Sequence, residues 1–292
     1  MNTKIVKKQK ILITGINGLL GSTLEQVLKK QDYDVYDISV DISNADAVNN
    51  FAAKNTNFDW IIHTAAVTDV DSCEKSRFLC YSVNAQGTKN VRDLAKTIKA
   101  KLIYISTASV FSGKEGNYKE TDLPYPRNFH DLTKFLGEQI ILEYNDGLVL
   151  RINLIGIHPR GSRGKNFFEW LIDSIKANKD IQLFSDVMIN PLSNWSIAYC
   201  ISELIKIKPQ EKILHLASKS ILSKANIGEL VIKKLGDYKG KANFVSVDDN
   251  QNGAPRPKEM WLNADYVQTK LGLEMPTLES EIEKILKKSH LL

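Results

Sequence analysis

Cysteine is scarce in this sequence, which has only three cysteines in 292 residues and no long apolar segment. Cys73, Cys80 and Cys200 lack the spacing of a metal site, and their odd number argues against a framework of disulfides. We therefore expect reduced thiols, a cytoplasmic location and no metal ion. No stretch is apolar enough for a membrane span, and the basic N-terminal segment is not followed by the apolar core of a secretory signal.

A strong charge, internal repeats and low-complexity segments are also lacking. The net charge is only +5, and the lysines are densest near the two ends, at 4–10 and 284–288. Basic residues that are not interleaved with aromatic ones usually form solvated termini, so we do not expect nucleic acid as a partner. A mild positive charge still suits an anionic small molecule such as a nucleotide sugar.

What the sequence does contain, close to its start, is an apolar run followed by three regularly spaced glycines. Ile11–Ile13 predicts a buried parallel strand, and Gly15, Gly18 and Gly21 lead into a helical pattern. The glycines permit a sharp turn and the close approach of a phosphate, while the helix N-terminus offers free N–H groups to a pyrophosphate. This stretch predicts a dinucleotide-binding loop.

An acidic residue about 20 positions beyond such glycines often holds the adenosine ribose of the dinucleotide. Asp37 lies 22 positions beyond Gly15, in the segment Asp34–Ser39 that predicts the second strand. Asp37 could reach the ribose, or it could lie in mid-strand and point away, which would leave Ser39 at the strand tip. No arginine that could bind a 2′-phosphate follows directly, and the choice between NAD and NADP stays open.

Strand-like and helical patterns alternate as far as Arg151. They predict strands at 59–64, 101–106 and 148–151 and helical regions at 77–100 and 130–144. This alternation indicates an α/β fold of the Rossmann type, with a doubly wound parallel sheet. We expect a Rossmann domain at 1–151, and a smaller C-terminal α/β substrate lobe at 152–292 that returns to the sheet at about 212–217.

Eight short segments resemble, in their order and spacing, the extended short-chain dehydrogenases, and most closely the dTDP-4-dehydrorhamnose reductase branch. Together they cover nearly the whole chain. The segments are T-G-I-N-G-L-L-G (14–21), D-I-S (41–43), A-A-V-T-D-V-D (65–71), V-N-A-Q-G-T (83–88), Y-I-S-T-A-S-V-F-S-G (104–113), T-K-F-L-G-E (133–138), G-K-N-F (164–167) and A-P-R-P-K-E-M-W-L-N (254–263).

This resemblance implies NAD or NADP as the cofactor and a nucleotide-activated 4-keto-6-deoxy sugar as the substrate. It is also compatible with a homodimer. The residues that match the cofactor-binding motifs of the family are Gly15, Asn17, Gly18, Leu19, Leu20, Gly21, Asp41, Ile42, Ala65 and Ala66.

The family reduces the sugar at C4 with a Ser or Thr, a Tyr and a Lys, the last two spaced Y-x-x-x-K. A tyrosine, whose pKa is about 10, becomes a useful proton donor when a nearby ammonium lowers that pKa, and a lysine four residues on shares its helix face. Thr107 and Lys134 match two of these residues, and Lys134 would also reach the cofactor ribose. In place of the tyrosine stands His130.

His130 leaves several roles open. Its imidazolium could protonate the alkoxide, although the nearby Lys134 ammonium would favour the neutral ring, which could still polarise a carbonyl. Tyr125, in the preceding loop, is a rival donor. A plainer interpretation is that His130 is only a solvated residue at the helix N-terminus. Alternatively, the chain is a catalytically lapsed, cofactor-binding regulatory or structural protein. The same branch includes one, a regulatory subunit of methionine adenosyltransferase.

The substrate half of the family pattern also departs from the usual residues. Ala108 and Ser109 replace an Asp and a Tyr, and Leu154 stands where a Trp is usual. We expect Thr107, Ala108 and Leu154 to face the sugar. A guanidinium binds phosphate in bidentate fashion, which makes Arg256 the candidate for the diphosphate, with Arg160 and Arg163 as weaker ones.

Overall fold

The computed structural model describes residues 8–161, 166–249 and 253–292. Its strands are short, and those of the N-terminal half lie close to their predicted positions. The strands are β1 Lys10–Thr14, β2 Asp34–Asp37, β3 Trp60–His63, β4 Lys101–Thr107, β5 Gly147–Ile152, β6 Leu154–Ile155, β7 Ile181–Phe184, β8 Met188–Ile189, β9 Leu192–Ser193, β10 Ile213–Leu216, β11 Leu222–Ser223 and β12 Ala242–Val245.

Helices connect most of these strands. The α-helices are α1 Leu19–Lys30, α2 Ala45–Lys54, α3 Val70–Lys75, α4 Arg77–Tyr81, α5 Thr88–Ile98, α6 Phe129–Leu142, α7 Phe167–Lys176, α8 Asn194–Ile207, α9 Lys224–Leu235, α10 Asp265–Thr269 and α11 Leu278–Lys288. A π-helical turn, Ser82–Gly87, and two 3₁₀ turns, Ala108–Val110 and Val247–Asp249, complete the set. The helical region predicted at 77–100 is therefore divided by the π-helical turn.

The central sheet has six parallel strands in the order β10-β5-β4-β3-β1-β2. Consecutive residues of β1 point to opposite faces. Ile11 and Ile13 pack in a core with α1 and α8, whereas Leu12 packs in a second core with α2, α5 and α6. Both faces are thus covered by helices, and the predicted doubly wound Rossmann-type fold is confirmed.

The C-terminal part builds a third core outside this sheet. Apolar residues of α7, α9 and α11 pack together there, beside the short pairs β7–β12 and β8–β11. Between these segments β10 returns to the central sheet and pairs with β5 at its edge. Residues of this part contact the loops at the carboxyl edge of the sheet, since His158 lies against Asn17 and Asn128 donates to the Pro255 carbonyl oxygen.

Two of the three cysteines are bonded, which contradicts the expectation of reduced thiols. The bend between α3 and α4 brings the Cα atoms of Cys73 and Cys80 to 5.2 Å, and a disulfide joins them. Spacing alone could not show this bend. Cys200 is free and buried, and burial raises the pKa of its thiol to about 12. None of the described helices is long and apolar enough to cross a membrane.

Candidate functional site

The glycine-rich loop between β1 and α1 lies directly against the segment that follows β3. Gly15 has a φ of +70°, and a Cβ there would lie 2.8 Å from the backbone of Ala65. A Cβ on Gly21 would lie 2.2 Å from the Gly15 carbonyl oxygen. Side chains at either position would therefore force the loop open, which explains why glycines are required.

The N-terminus of α1 faces a cleft at the carboxyl edge of the sheet. Gly18 is the N-cap and no side chain caps the helix, so its first N–H groups are available to a phosphate. The cleft has a volume of about 350 Å³. Its lining residues are Gly15, Ile16, Asn17, Gly18, Asp37, Ile38, Ser39, Val40, Asp41, Ile42 and Ala65.

Most of the predicted cofactor residues meet in this cleft. Leu19, Leu20 and Gly21 form the first turn of α1 behind the loop, and Ala66 follows Ala65 after β3. Asp37 is the last residue of β2 and lines the cleft, where its carboxylate accepts a hydrogen bond of 3.2 Å from the Ser39 hydroxyl. Asp37 therefore lies where a carboxylate could reach a ribose.

A segment of the C-terminal part crosses over the glycine-rich loop. His158 Nε2 lies 3.0 Å from the backbone oxygen of Asn17, and Arg160 donates to the Asn17 side chain at 3.3 Å. Arg160 also forms an ion pair with Glu25 of α1. Arg160 thus contacts the glycine-rich loop and its role toward a diphosphate stays a prediction, while Arg163 lies outside the described residues.

The three predicted catalytic residues occupy the end of β4 and the first turns of α6. Thr107 ends β4, and Asn128 caps α6 by accepting a hydrogen bond from the Asp131 N–H. This cap places His130 and Lys134 one turn apart on the helix. His130 is only 7% exposed, so it is not the solvated residue that one alternative required.

Lys134 is buried beside the end of β4. Its Nζ donates to the Ile105 carbonyl oxygen at 2.6 Å and lies 4.2 Å from the ring centroid of Tyr104. Burial lowers the pKa of Lys134 to about 7, against the opposing effect of the Glu138 carboxylate. The amine and the ammonium should therefore both be present near neutral pH.

Two polar residues that sequence reasoning did not assign connect Thr107 to His130. The Ser109 hydroxyl lies 3.0 Å from Thr107 Oγ1 and donates to Asp131 Oδ1 at 2.5 Å. The same Asp131 oxygen lies 3.0 Å from His130 Nδ1. The sequence carries one signal for this connection. The residues at positions 109 and 130 both differ from the family pattern, and an aspartate, Asp131, directly follows position 130.

The predicted substrate residues are distributed over several environments. Ala108 begins a 3₁₀ turn and is fully buried in the core, while Leu154 of β6 is half-buried against that core. The Arg256 guanidinium is paired with Asp71 Oδ2 at 2.8 Å. Tyr125, the rival donor, is 65% exposed in its loop. Their roles toward a substrate stay predictions.

Lys224, at the start of α9, is a further cation of the C-terminal part that the sequence did not indicate. Its Nζ lies 5.2 Å from the ring centroid of Phe167 and 5.8 Å from that of Phe184. Burial lowers the pKa of Lys224 to about 8, and the charge of Arg256 acts in the same direction. No group of three or more potential metal ligands occurs within the described ranges.

Comparison with known proteins identifies the family. The family model described as the RmlD substrate binding domain matches residues 9–291. A probable low-salt glycan biosynthesis reductase of Haloferax volcanii is 28% identical, over 92% of this chain and 95% of the relative. The methionine adenosyltransferase 2 subunit beta of Xenopus laevis is 31% identical, but over only 50% of this chain and 47% of that protein.

Solved structures give the same result. The crystal structure of dTDP-4-dehydrorhamnose reductase from Bacillus anthracis str. Ames, in complex with NADP, is similar with a TM-score of 0.89 and 29% identity. The match covers 97% of this chain and 100% of that one. The resemblance inferred from the motifs is therefore confirmed. Because the family model spans nearly the whole chain, the protein belongs to the RmlD substrate binding domain family.

Proposed function

We propose that this protein is an NAD(P)-dependent reductase of a nucleotide-activated 4-keto-6-deoxy sugar, with His130 in the role of the usual tyrosine. The observation that carries the proposal is the placement of His130 and Lys134 one turn apart on α6, beside the end of β4 that carries Thr107. The reductases among the relatives support the reaction class.

Each part of the site would have a separate task. The glycine-rich loop and the N-terminus of α1 would bind the pyrophosphate, and Lys134 would hold the nicotinamide ribose. The bound NAD(P)H supplies a hydride to C4 of the sugar. Thr107 would hydrogen-bond the C4 oxygen, and His130 would give that oxygen its proton. Arg256 would pair with the diphosphate.

The test measures the oxidation of NADH and NADPH in the presence of a panel of nucleotide-activated 4-keto sugars. The reaction is monitored through the loss of absorbance of the reduced cofactor. We expect turnover with at least one member of the panel. Clear binding of the cofactor without turnover of any sugar would contradict the proposal and favour the non-catalytic, regulatory function. A cytoplasmic location and a homodimer stay predictions.

The position of Asp37 leads us to expect that NADH binds at least about tenfold more tightly than NADPH, a difference of about 1.4 kcal/mol. A carboxylate accepts a hydrogen bond from the ribose 2′-hydroxyl but repels a 2′-phosphate. None of the described residues that line the cleft is a lysine or an arginine. The measurement is the ratio of the two dissociation constants by fluorescence titration.

The Asp37→Ala variant should lose most of this preference. Asp34→Asn is the matched control, because Asp34 begins the same strand at its opposite end. Two results would refute the assignment of Asp37 to the ribose 2′-hydroxyl. One is a wild-type protein that prefers NADPH, and the other is an Asp34→Asn control that changes the ratio of the two dissociation constants as much as Asp37→Ala does.

A further inference from the structure

A chain of hydrogen bonds joins the end of β4 to the first turn of α6. Its centre is Asp131, which is completely buried. The Ser109 hydroxyl donates to Oδ1 at 2.5 Å, and Asn128 Nδ2 donates to Oδ2 at 2.6 Å. Because the Ser109 hydrogen is used in this way, only the Thr107 hydroxyl can be the donor in its 3.0 Å contact with Ser109 Oγ, and it has to turn away from Ser109 to donate to a bound sugar oxygen. Each carboxylate oxygen of Asp131 therefore accepts one hydrogen bond, Oδ1 from the turn that follows β4 and Oδ2 from the N-cap of α6.

The third group on this carboxylate is the ring of His130, whose Nδ1 lies 3.0 Å from Oδ1. An ionised carboxylate only accepts hydrogen bonds, and Ser109 and Asn128 both act as donors to it. His130 Nδ1 must therefore carry a hydrogen. Nε2, on the opposite edge of the ring, has no hydrogen-bond partner among the residues that the structure describes.

This arrangement fixes the tautomer of a neutral His130 ring and thereby what each protonation state could do. A neutral imidazole has a single N–H group, and here that group faces Asp131. The neutral ring could then accept a hydrogen bond at Nε2 but could not donate one to a sugar oxygen. Only the imidazolium, with hydrogens on both nitrogens, can act as the donor.

We propose that Asp131 is a positioning residue, which holds His130 with Nδ1 protonated and leaves Nε2–H to protonate the C4 oxygen, while Ser109 fixes the carboxylate. The inference rests on the proposed function. In the step, the hydride of NAD(P)H forms the new C–H bond at C4, and the C=O π bond becomes a lone pair on oxygen. That oxygen takes the Nε2 proton, so the products are the alcohol, NAD(P)⁺ and a neutral His130, which regains a proton from solvent.

The first test needs no substrate and examines the full-length protein labelled with ¹⁵N-histidine. Long-range ¹H–¹⁵N correlation spectra distinguish the two tautomers of a neutral ring, and the signal of His130 is assigned by its absence from the His130→Gln variant. We expect the Nδ1–H tautomer in the wild-type protein and the Nε2–H tautomer in Asp131→Asn, whose amide can donate to Nδ1. An Nε2–H tautomer in the wild-type protein would overturn the proposal.

The second test is kinetic. Asp131→Asn should lower kcat on the order of 10²–10⁴-fold, the range for a general acid and for loss of a carboxylate that orients a histidine, with little change in KM or in NADH affinity. Ser109→Ala should lower kcat by less, about tenfold, because it removes one hydrogen bond to the Asp131 carboxylate and leaves the one from Asn128 Nδ2 in place. Asp122→Asn is the control, since it makes the same charge change at a loop carboxylate that accepts from the Lys119 N–H.

The two tests separate a failure of this inference from a failure of the proposed function. If the wild-type protein binds NADH but turns over no sugar, the reductase function fails, and the tautomer of His130 still decides whether Asp131 positions the ring. If turnover occurs and Asp131→Asn keeps its kcat, Asp131 has no positioning role. Should Asp131→Asn fail to fold, the wild-type tautomer and the kcat of Ser109→Ala still decide.

Discussion

Replacing His130 by alanine should lower kcat for the nucleotide-activated 4-keto sugar by about 10²–10⁴-fold, the usual contribution of a positioned general acid. NADH affinity should stay unchanged, because the glycine-rich loop and Asp37 lie on other elements. The measurements are steady-state NADH oxidation and a fluorescence titration of the cofactor. A loss confined to kcat would show that His130 acts on the reacting sugar rather than on cofactor binding.

Two further variants make this result specific. His130→Tyr should recover part of the lost activity, because the Lys134 ammonium one turn away would lower the pKa of the new phenol and make it a better donor. Tyr125→Phe is the matched control for the rival donor. Tyr125 is largely exposed and should be dispensable. An unchanged rate in His130→Ala, or a large loss in Tyr125→Phe, would remove His130 from the mechanism.

The cleft that we propose for the cofactor could be predicted because its signals are local in the sequence. Three glycines, one apolar strand and one helix start fall within a dozen residues, and the close contacts at Gly15 and Gly21 leave no room for a side chain. Asp37 was ambiguous only because a strand end cannot be located to one residue, and the structure ends β2 there. The sheet could likewise be predicted from apolar runs that alternate with helical patterns, since buried parallel strands are almost continuously apolar.

The rest of the site depends on contacts between distant segments, which spacing does not reveal. Asp131 meets Ser109 across 22 positions, and Arg160 meets Glu25 across 135. The Cys73–Cys80 bond requires the bend between two short helices. Ala108, which is expected to face the sugar, begins a 3₁₀ turn and is buried in the core, so its role toward a substrate stays a prediction. In each case the role of the residue is determined by contacts in the folded chain, because the residue type alone is compatible with several roles.

A second large effect is expected on stability. The free energy of unfolding should fall as the pH drops below about 6.5, with a slope that approaches about 2.7 kcal/mol per pH unit, because two histidines are buried in the neutral form. Burial lowers the pKa of His63 to about 3, and the Lys134 ammonium acts in the same direction. Burial also lowers the pKa of His215 to about 3, together with the Arg151 guanidinium.

The sign follows from proton binding. In the unfolded chain both rings bind a proton near pH 6.5, whereas in the folded chain they stay neutral until about pH 3. The stabilisation is therefore complete above pH 6.5 and is lost as the pH falls through this window. Between pH 7 and pH 5 the loss amounts to about 4 kcal/mol, which is a large part of the whole stability of many domains. Urea unfolding between pH 7 and pH 5 measures the slope.

His215→Gln separates this histidine effect from the general titration of carboxylates. His215 Nδ1 lies 3.0 Å from the Tyr118 carbonyl oxygen and Nε2 lies 3.4 Å from Arg151 Nη1, so a proton added at Nε2 would face a guanidinium. The variant loses stability at neutral pH, but its slope should decrease by about 1.4 kcal/mol per pH unit. The exposed His290, replaced by glutamine, is the control and should leave the slope unchanged. An equal slope in His215→Gln and the wild-type protein would mean that the buried ring does not resist protonation, and that acid unfolding begins elsewhere.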